Sequence, residues 1–446
     1  LALTATEQSA KSLLDDLPLS SFQVWTVLMI AAAVVLDGLD NQMLGLAAPS
    51  LLAEWSITRD TLGLVFALGF VGMAFGTLAA GYIGDRFGRR GALIAGVGVF
   101  GVATLLTGFS TSLWHLALLK TLAGVGLGGV PGTASAMIAE FTPARWRSAA
   151  VTFGVVCVSI GGILGGVAAA AILPVLGWRW LFFAAGAVTI VFTALLLWLL
   201  PESPSFLEGR PHEQARRDAL LRRMGVLAGA HDAATTPRAP AEHVPFSALF
   251  QGHLLRDSLA LSLAMFSGMF MIYLMFNWSP TMLASTGFGL ASASLGLTSF
   301  NIGGTLGALG ASLAMIRFGS RPTLLLMAVV GAAACGFLAL LDMADGRNEL
   351  AMLGGLVALG LFASAAQSAM FAVGAYAFPT AVRARGLGLM GAAGRAGAIL
   401  SSVAGAGLIG GGNRLFFGVL AALMLVNAVG FFFVRGHVPP HIRKEV

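Results

Sequence analysis

Charge is what this chain has least of. Asp, Glu, Lys and Arg make up 10% of its 446 residues, well under the roughly 25% of a soluble domain, and that shortage excludes an ordinary water-soluble fold. Cysteine is nearly missing too. Cys157 and Cys335 sit inside separate apolar runs, so neither a disulfide framework nor a thiolate metal site can be assembled. His212, His231, His243, His253, His437 and His441 fall in polar segments and His115 near the end of an apolar run, which leaves no imidazole to compete for buried proton chemistry. The first 20 residues, ATEQSAKSLLDD among them, lack the basic, apolar, small-residue order of a cleavable signal. The first apolar run is therefore expected to start insertion itself. No metal cluster, nucleophile elbow or phosphate loop stands in the sequence, so neither an enzyme nor a bound cofactor is expected. The glycine runs GVGLGG (124–129) and GGILGG (161–166) follow no strand and read as close helix packing, not nucleotide binding.

Apolar residues are what the chain has in excess: 57% of the total, with 59 glycines and a mean hydropathy of +0.87. Runs of about 20 apolar residues, the length that spans a bilayer as a helix, occur at 24–48, 61–84, 91–110, 113–139, 148–172, 178–200, 258–284, 290–316, 322–343, 350–377, 386–411 and 414–434. The expectation is an all-α membrane protein with twelve transmembrane helices in two six-helix halves. Residues 1–23 form a tail, 24–200 the first half, 201–257 a connecting segment, 258–434 the second half and 435–446 a second tail.

The net charge of +6 has a membrane explanation and needs no nucleic acid. If the N-terminus is inside, the inside segments hold Lys11, Arg86, Arg89, Arg90, Arg145, Arg147, seven arginines from Arg210 to Arg256, Arg317, Arg321, Arg383, Arg385, Arg435, Arg443 and Lys444, which is 20 of the 26 basic residues. The outside loops hold Arg59, Arg179, Arg347 and Arg414. The positive-inside rule then puts both termini and the connecting segment in the cytoplasm. EQARRDALLRRM (213–224) reads either as an amphipathic helix on anionic lipid or as a solvated connector. No chemistry is expected from 201–257.

The two halves resemble each other. GDRFGRRGALI (84–94) pairs with MIRFGSRPTLL (315–325) at an offset of 231, and Pro143 and Arg147 match Pro379 and Arg383 at an offset of 236. A duplicated six-helix unit is the sequence mark of a secondary transporter, with the substrate site between the halves.

Two acids interrupt the first span at DGLD, Asp37 and Asp40. Inserting both ionised would cost about 6 kcal/mol, while each Leu, Val or Ile returns about 0.3 to 0.6 kcal/mol. Their spacing puts them about 60° apart around the helix and about 4.5 Å apart along it, on one face. Two crowded, buried carboxyls suit a proton carrier, because at least one can bind and release a proton near neutral pH. The plainer alternative is that they cap a broken helix or pair with a basic residue for packing.

GYIGDRFGRR (81–90) matches the loop between helices 2 and 3 of the major facilitator superfamily, and the chain resembles a member over essentially its whole length. DGLD, GVGLGG, AEFTPARWR (139–147), PESPSFL (201–207), FNW (276–278) and GRAGAI (394–399) are similar to the aromatic acid/proton symporter family within it. The resemblance implies proton-linked uptake of benzoate-, hydroxybenzoate- or phenylpropionate-like acids across a bacterial inner (plasma) membrane. The chain departs from that family at Lys120, usually arginine, at Ile316, usually acidic, and at Ser401 and Ser402, usually Gly-Pro.

Lys120 and Arg395 are the basic residues inside predicted spans. A carboxylate between the halves needs such a charge. Lys120 reads equally as a substrate group or as a neutraliser of Asp37 or Asp40, whereas Arg395, supported by the family match, reads as the substrate group. Tyr273, Phe276, Asn277, Trp278, Asn301 and Gln367 are candidate cavity residues. Gly81, Asp85, Arg86, Gly88, Arg89 and Arg90 form a candidate gate on the inner side, with Glu140 as ion-pair partner and Arg147 and Arg383 as the repeat-related arginines. The expected partners are a small aromatic acid, protons and the bilayer, handled by a monomer. Proton-driven efflux and non-transporting sensing remain as alternatives on the same fold.

Overall fold

The computed structural model describes residues 19–208, 211–225, 246–379 and 381–440. Lys11, Arg210, Arg238, Arg443 and Lys444, which contribute to the charge asymmetry, lie outside the described residues.

Helix α1 (Ser21–Trp55) starts before the apolar run because Ser20 caps it: the Ser20 hydroxyl accepts the Gln23 N–H at 3.2 Å, and the Gln23 side chain accepts the Ser20 N–H at 2.8 Å. It continues past Pro49 and ends at Ser56, whose φ of 50° is left-handed. The other spanning helices are α2 (Arg59–Phe87), α3 (Arg89–Thr107), α4 (Leu113–Phe141), α5 (Ala144–Leu176), α6 (Trp178–Leu199), α7 (Gly252–Ser285), α8 (Leu290–Phe318), α9 (Ser320–Leu340), α10 (Glu349–Ala377), α11 (Arg383–Ile409) and α12 (Gly412–Phe433). Among the described residues these twelve are long and apolar enough to cross a membrane. Several outrun the predicted spans, because a helix that satisfies its own backbone extends into charged residues that hydropathy alone excludes.

The halves repeat one packing scheme. α1 packs on α5 as α7 packs on α11, α2 on α4 as α8 on α10, and α3 on α4 and α6 as α9 on α10 and α12. The duplication reaches single residues. Gly88 and Gly319 occupy matched turns with φ of 98° and 83°, and each N–H bonds back to a carbonyl four residues earlier, of Gly84 and Met315. A side chain would be strained at either position. Arg147 Nε donates to Ala139 O at 3.0 Å and Arg383 Nε to Phe378 O at 3.3 Å, so both matched arginines bond to the end of the preceding helix.

Glycines bring the helices of each pair into backbone contact. Gly38 of α1 lies on the Val158 carbonyl of α5, and Gly161 of α5 on the Val35 carbonyl of α1; Gly72, Gly76, Gly124 and Gly128 alternate in the same way between α2 and α4. Any Cβ there overlaps backbone, which cannot yield as a side chain can. Gly161→Ala is therefore expected to lower stability by about 1 to 3 kcal/mol. Gly310, whose Cβ position is open, should tolerate alanine. Thermal unfolding of the two variants side by side checks the contrast.

The halves meet through α1 with α7, α2 with α11 and α5 with α8. One end of the bundle, called the basic end below, carries the Arg86–Arg90, Arg145–Arg147, Arg317–Arg321 and Arg383–Arg385 turns. Contacts across the seam lie in the middle of the helices or toward the opposite end: Gly45 on the Phe276 carbonyl, Gly63 on that of Ser402, Gly166 beside Thr298, and Phe66 against Trp278 at 5.3 Å between ring centres. The connecting segment adds two short helices, Pro204–Glu208 and Gln214–Arg223. Leu207, Leu220 and Met224 are buried in one cluster with Phe141, Leu196 and Leu200. EQARRDALLRRM thus forms a short helix that rests on the first half through Leu220 and Met224 and leaves Arg216, Arg222 and Arg223 exposed.

Candidate functional site

The two acids of DGLD have different surroundings. Both are buried, but Asp40 accepts from Lys120 Nζ at 3.2 Å and from the Thr104 hydroxyl of α3. Lys120 itself is buried and lies 5.7 Å from the centre of the Phe182 ring. Lys120 and Asp40 thus form a buried ion pair. Asp37 stands apart: its Oδ1 is buried with no hydrogen-bond donor.

Tyr273 of α7 joins this region to the seam. Its side chain lies within electrostatic reach of both Asp37 and Arg395. Arg395 is exposed halfway along α11, and its Nη2 donates to the Thr77 hydroxyl of α2 at 2.6 Å. Thr77 is in turn held against the Gly128 carbonyl at 2.7 Å and the Met73 carbonyl at 2.9 Å. A guanidinium, a phenol and a carboxyl without a donor therefore converge where the halves meet. Away from the basic end, Phe70 and Tyr273 meet edge to face across the seam at 4.5 Å, and the row continues within the second half, Tyr273 with Phe276 at 5.8 Å and Phe276 with Phe300 at 6.1 Å.

The remaining predicted cavity residues spread out. Asn277 Nδ2 donates to the Ser402 hydroxyl at 3.3 Å and Trp278 Nε1 to the Ser402 carbonyl at 3.0 Å, tying α7 to α11 within the second half. Asn301 exchanges hydrogen bonds with Gln42 across the seam, at 2.7 and 3.2 Å, with Gly162 against both amides. Gln367 Nε2 donates to Met265 Sδ at 2.8 Å, and its side chain lies beside Gly268 and Asn427 inside the second half.

At the basic end Arg89 pairs with Glu140, which also accepts from the Ser203 and Ser205 hydroxyls. Glu202 takes the Arg90 backbone N–H at 3.0 Å, and the Arg90 side chain reaches the Leu200 carbonyl at 2.7 Å and that of Leu197 at 2.5 Å, closing the end of α6. Arg86 donates to the Tyr82 hydroxyl at 2.6 Å. Asp85 is exposed within the last turn of α2, not after it, and a Cβ at Gly81 would meet open space. The second half builds the matched turn from backbone: the Ser320 N–H donates to Val438 O and the Val438 N–H to the Ser320 hydroxyl, both at 2.9 Å.

The sequence profile of the Major Facilitator Superfamily matches residues 30–316 and 282–446. The chain belongs to this superfamily. Superfamily relatives include a 4-hydroxybenzoate transporter of Pseudomonas aeruginosa, 34% identical over 96% of this chain and 95% of that protein. A gallate transporter of Pseudomonas putida is 32% identical over the same shares. A 3-(3-hydroxy-phenyl)propionate transporter of Escherichia coli is 28% identical over 85% of each chain. The inward-open structure of the E. coli xylose transporter has the same fold, with a TM-score of 0.73 and 19% identity over 93% of this chain and 97% of that one. As a superfamily member the protein is a membrane transporter, not an enzyme.

Several site residues escaped the sequence. Thr77, Thr104 and Gln42 are single hydroxyl or amide side chains within apolar helices, a pattern shared by many that only bond their own helix. Glu202, Ser203 and Ser205 carried a signal, the PESPSFL motif, but lay in a segment from which no chemistry was expected.

Proposed function

We propose that the protein imports a small aromatic carboxylate with protons by alternating access, as a monomer in a bacterial inner membrane with both termini in the cytoplasm. The observation that carries this reading is the exposed Arg395 at the seam, with Tyr273 within electrostatic reach both of it and of Asp37, whose buried Oδ1 has no donor. Arg395 offers a planar fork to a carboxylate. The edge-to-face rings beside it accept an aromatic body. The charge of Asp37, which has no donor on its inner oxygen, is cancelled by a proton, and protonation in one orientation but not the other is what couples flux to a gradient. The names of the relatives support an aromatic acid as cargo. With the basic end in the cytoplasm, the seam contacts close the outer side, so the site empties inward.

Purified protein in proteoliposomes tests this reading with benzoate, 4-hydroxybenzoate, gallate and 3-phenylpropionate. At least one acid is expected to accumulate under an inward proton gradient and to stop accumulating when an ionophore collapses it. Accumulation in the opposite direction would assign the protein to efflux, and binding without movement would make it a sensor.

A further inference from the structure

The two halves balance charge differently at the basic end. In the first half, Glu140 and Glu202 lie among the arginines and engage Arg89 and the Arg90 backbone. In the second, Arg256, Arg317, Arg321, Arg383, Arg385 and Arg435 share one carboxylate among the described residues, and that one, Asp257, is 4% exposed and accepts the Arg435 backbone N–H at 2.7 Å. The other acids of the second half's described residues, Asp342, Asp345 and Glu349, stand at the opposite end. A cationic surface with one buried carboxylate among the described residues attracts an anionic partner.

Its surroundings specify the partner's chemistry. The Arg256 guanidinium lies 5.3 Å from the Phe433 ring and that of Arg321 lies 5.4 Å from the Phe432 ring, while the two rings meet at 5.6 Å. Phe432 and Phe433 are 53% and 47% exposed, and Leu425 and Val429 on α12 and Leu259 on α7 continue the exposed apolar surface away from the arginines. Cations at the end of a helix, joined to an apolar strip along it, match a molecule with an anionic head and long hydrocarbon chains.

We infer that the basic end of α12, between Arg256 of α7 and Arg321 of α9, is a binding site for an anionic diacyl phospholipid. The headgroup phosphate sits between the two guanidinium groups and the acyl chains run along α12. A soluble acidic protein would use the charge but would not reach the Phe and Leu strip, which runs along the membrane-spanning α12. Because Arg256 Nε also donates to the Phe433 carbonyl at 2.8 Å, and so ties α7 to the end of α12, an occupied site bears on how these helices hold together.

Native mass spectrometry of the full chain released from mixed phosphatidylglycerol and phosphatidylcholine vesicles tests the site. The wild type is expected to retain phosphatidylglycerol selectively, and Arg321→Gln to lower the retained fraction about fivefold. Among the described residues Arg321 donates to no backbone carbonyl, and unchanged melting in lipid-free detergent separates a loss of lipid from a folding defect. Arg321→Lys keeps the charge and should restore most retention. Arg347→Gln, at the opposite end, should change nothing. Equal retention of phosphatidylcholine, equal loss from Arg347→Gln, or stabilisation by inorganic phosphate matching that by phosphatidylglycerol would each overturn the proposal.

Discussion

Asp37→Asn is expected to abolish concentrative uptake while the protein still folds, inserts and binds its acid. An amide has the size of the carboxyl but cannot exchange a proton, and the Asp37 oxygen without a donor loses no ion pair on substitution. Asp40→Asn should fail for another reason. It strips Lys120 of its carboxylate and leaves a buried ammonium uncompensated, at a cost of about 3 to 5 kcal/mol. Its low stability should be rescued by adding Lys120→Met, which removes the stranded charge. Melting temperature and proton-driven uptake, measured on the same four proteins, separate the two effects. Full accumulation by Asp37→Asn would sink the assignment of proton coupling to that residue.

Arg395→Ala should erase the preference for an aromatic acid over its neutral amide, a difference of about 1.5 to 3 kcal/mol when a charge-assisted hydrogen bond is lost. Arg395→Lys should recover part of it, since the point charge remains and the two-pronged geometry does not. Lys120→Ala supplies the contrast: the protein should be destabilised, because Asp40 is left unpaired, yet any folded fraction should keep its preference for the acid. Calorimetry with the acid and the amide on each variant reads the outcome. If Lys120→Ala loses the preference and Arg395→Ala keeps it, the two roles are exchanged. If neither changes it, the anionic cargo is wrong.

The intramembrane charges show where sequence reasoning works. An acid inside an apolar helix is costly wherever the helix goes, so DGLD, Lys120 and Arg395 stood out without coordinates. Their pairing did not. Asp40 and Lys120 are 80 positions apart and Arg395 and Thr77 are 318 apart, and helical periodicity carries no information across such distances. The amides fared worst. Asn301 and Gln367 are both candidate cavity residues by sequence, yet one bridges the halves through Gln42 and the other bonds within a half.

By itself the sequence determined the properties that depend on composition and local order: a twelve-helix membrane bundle, two related halves, and which rare charges must be accommodated between them. Those follow from the cost of exposing backbone and charge to hydrocarbon, a cost paid residue by residue. Only the tertiary structure decided which acid is neutralised, which arginine bonds a hydroxyl across the seam, and that the motif after α6 fastens the loop between α2 and α3. These depend on which helix faces meet, and the meeting is set by glycines such as Gly38 and Gly161 whose missing side chains matter only against a neighbour's backbone.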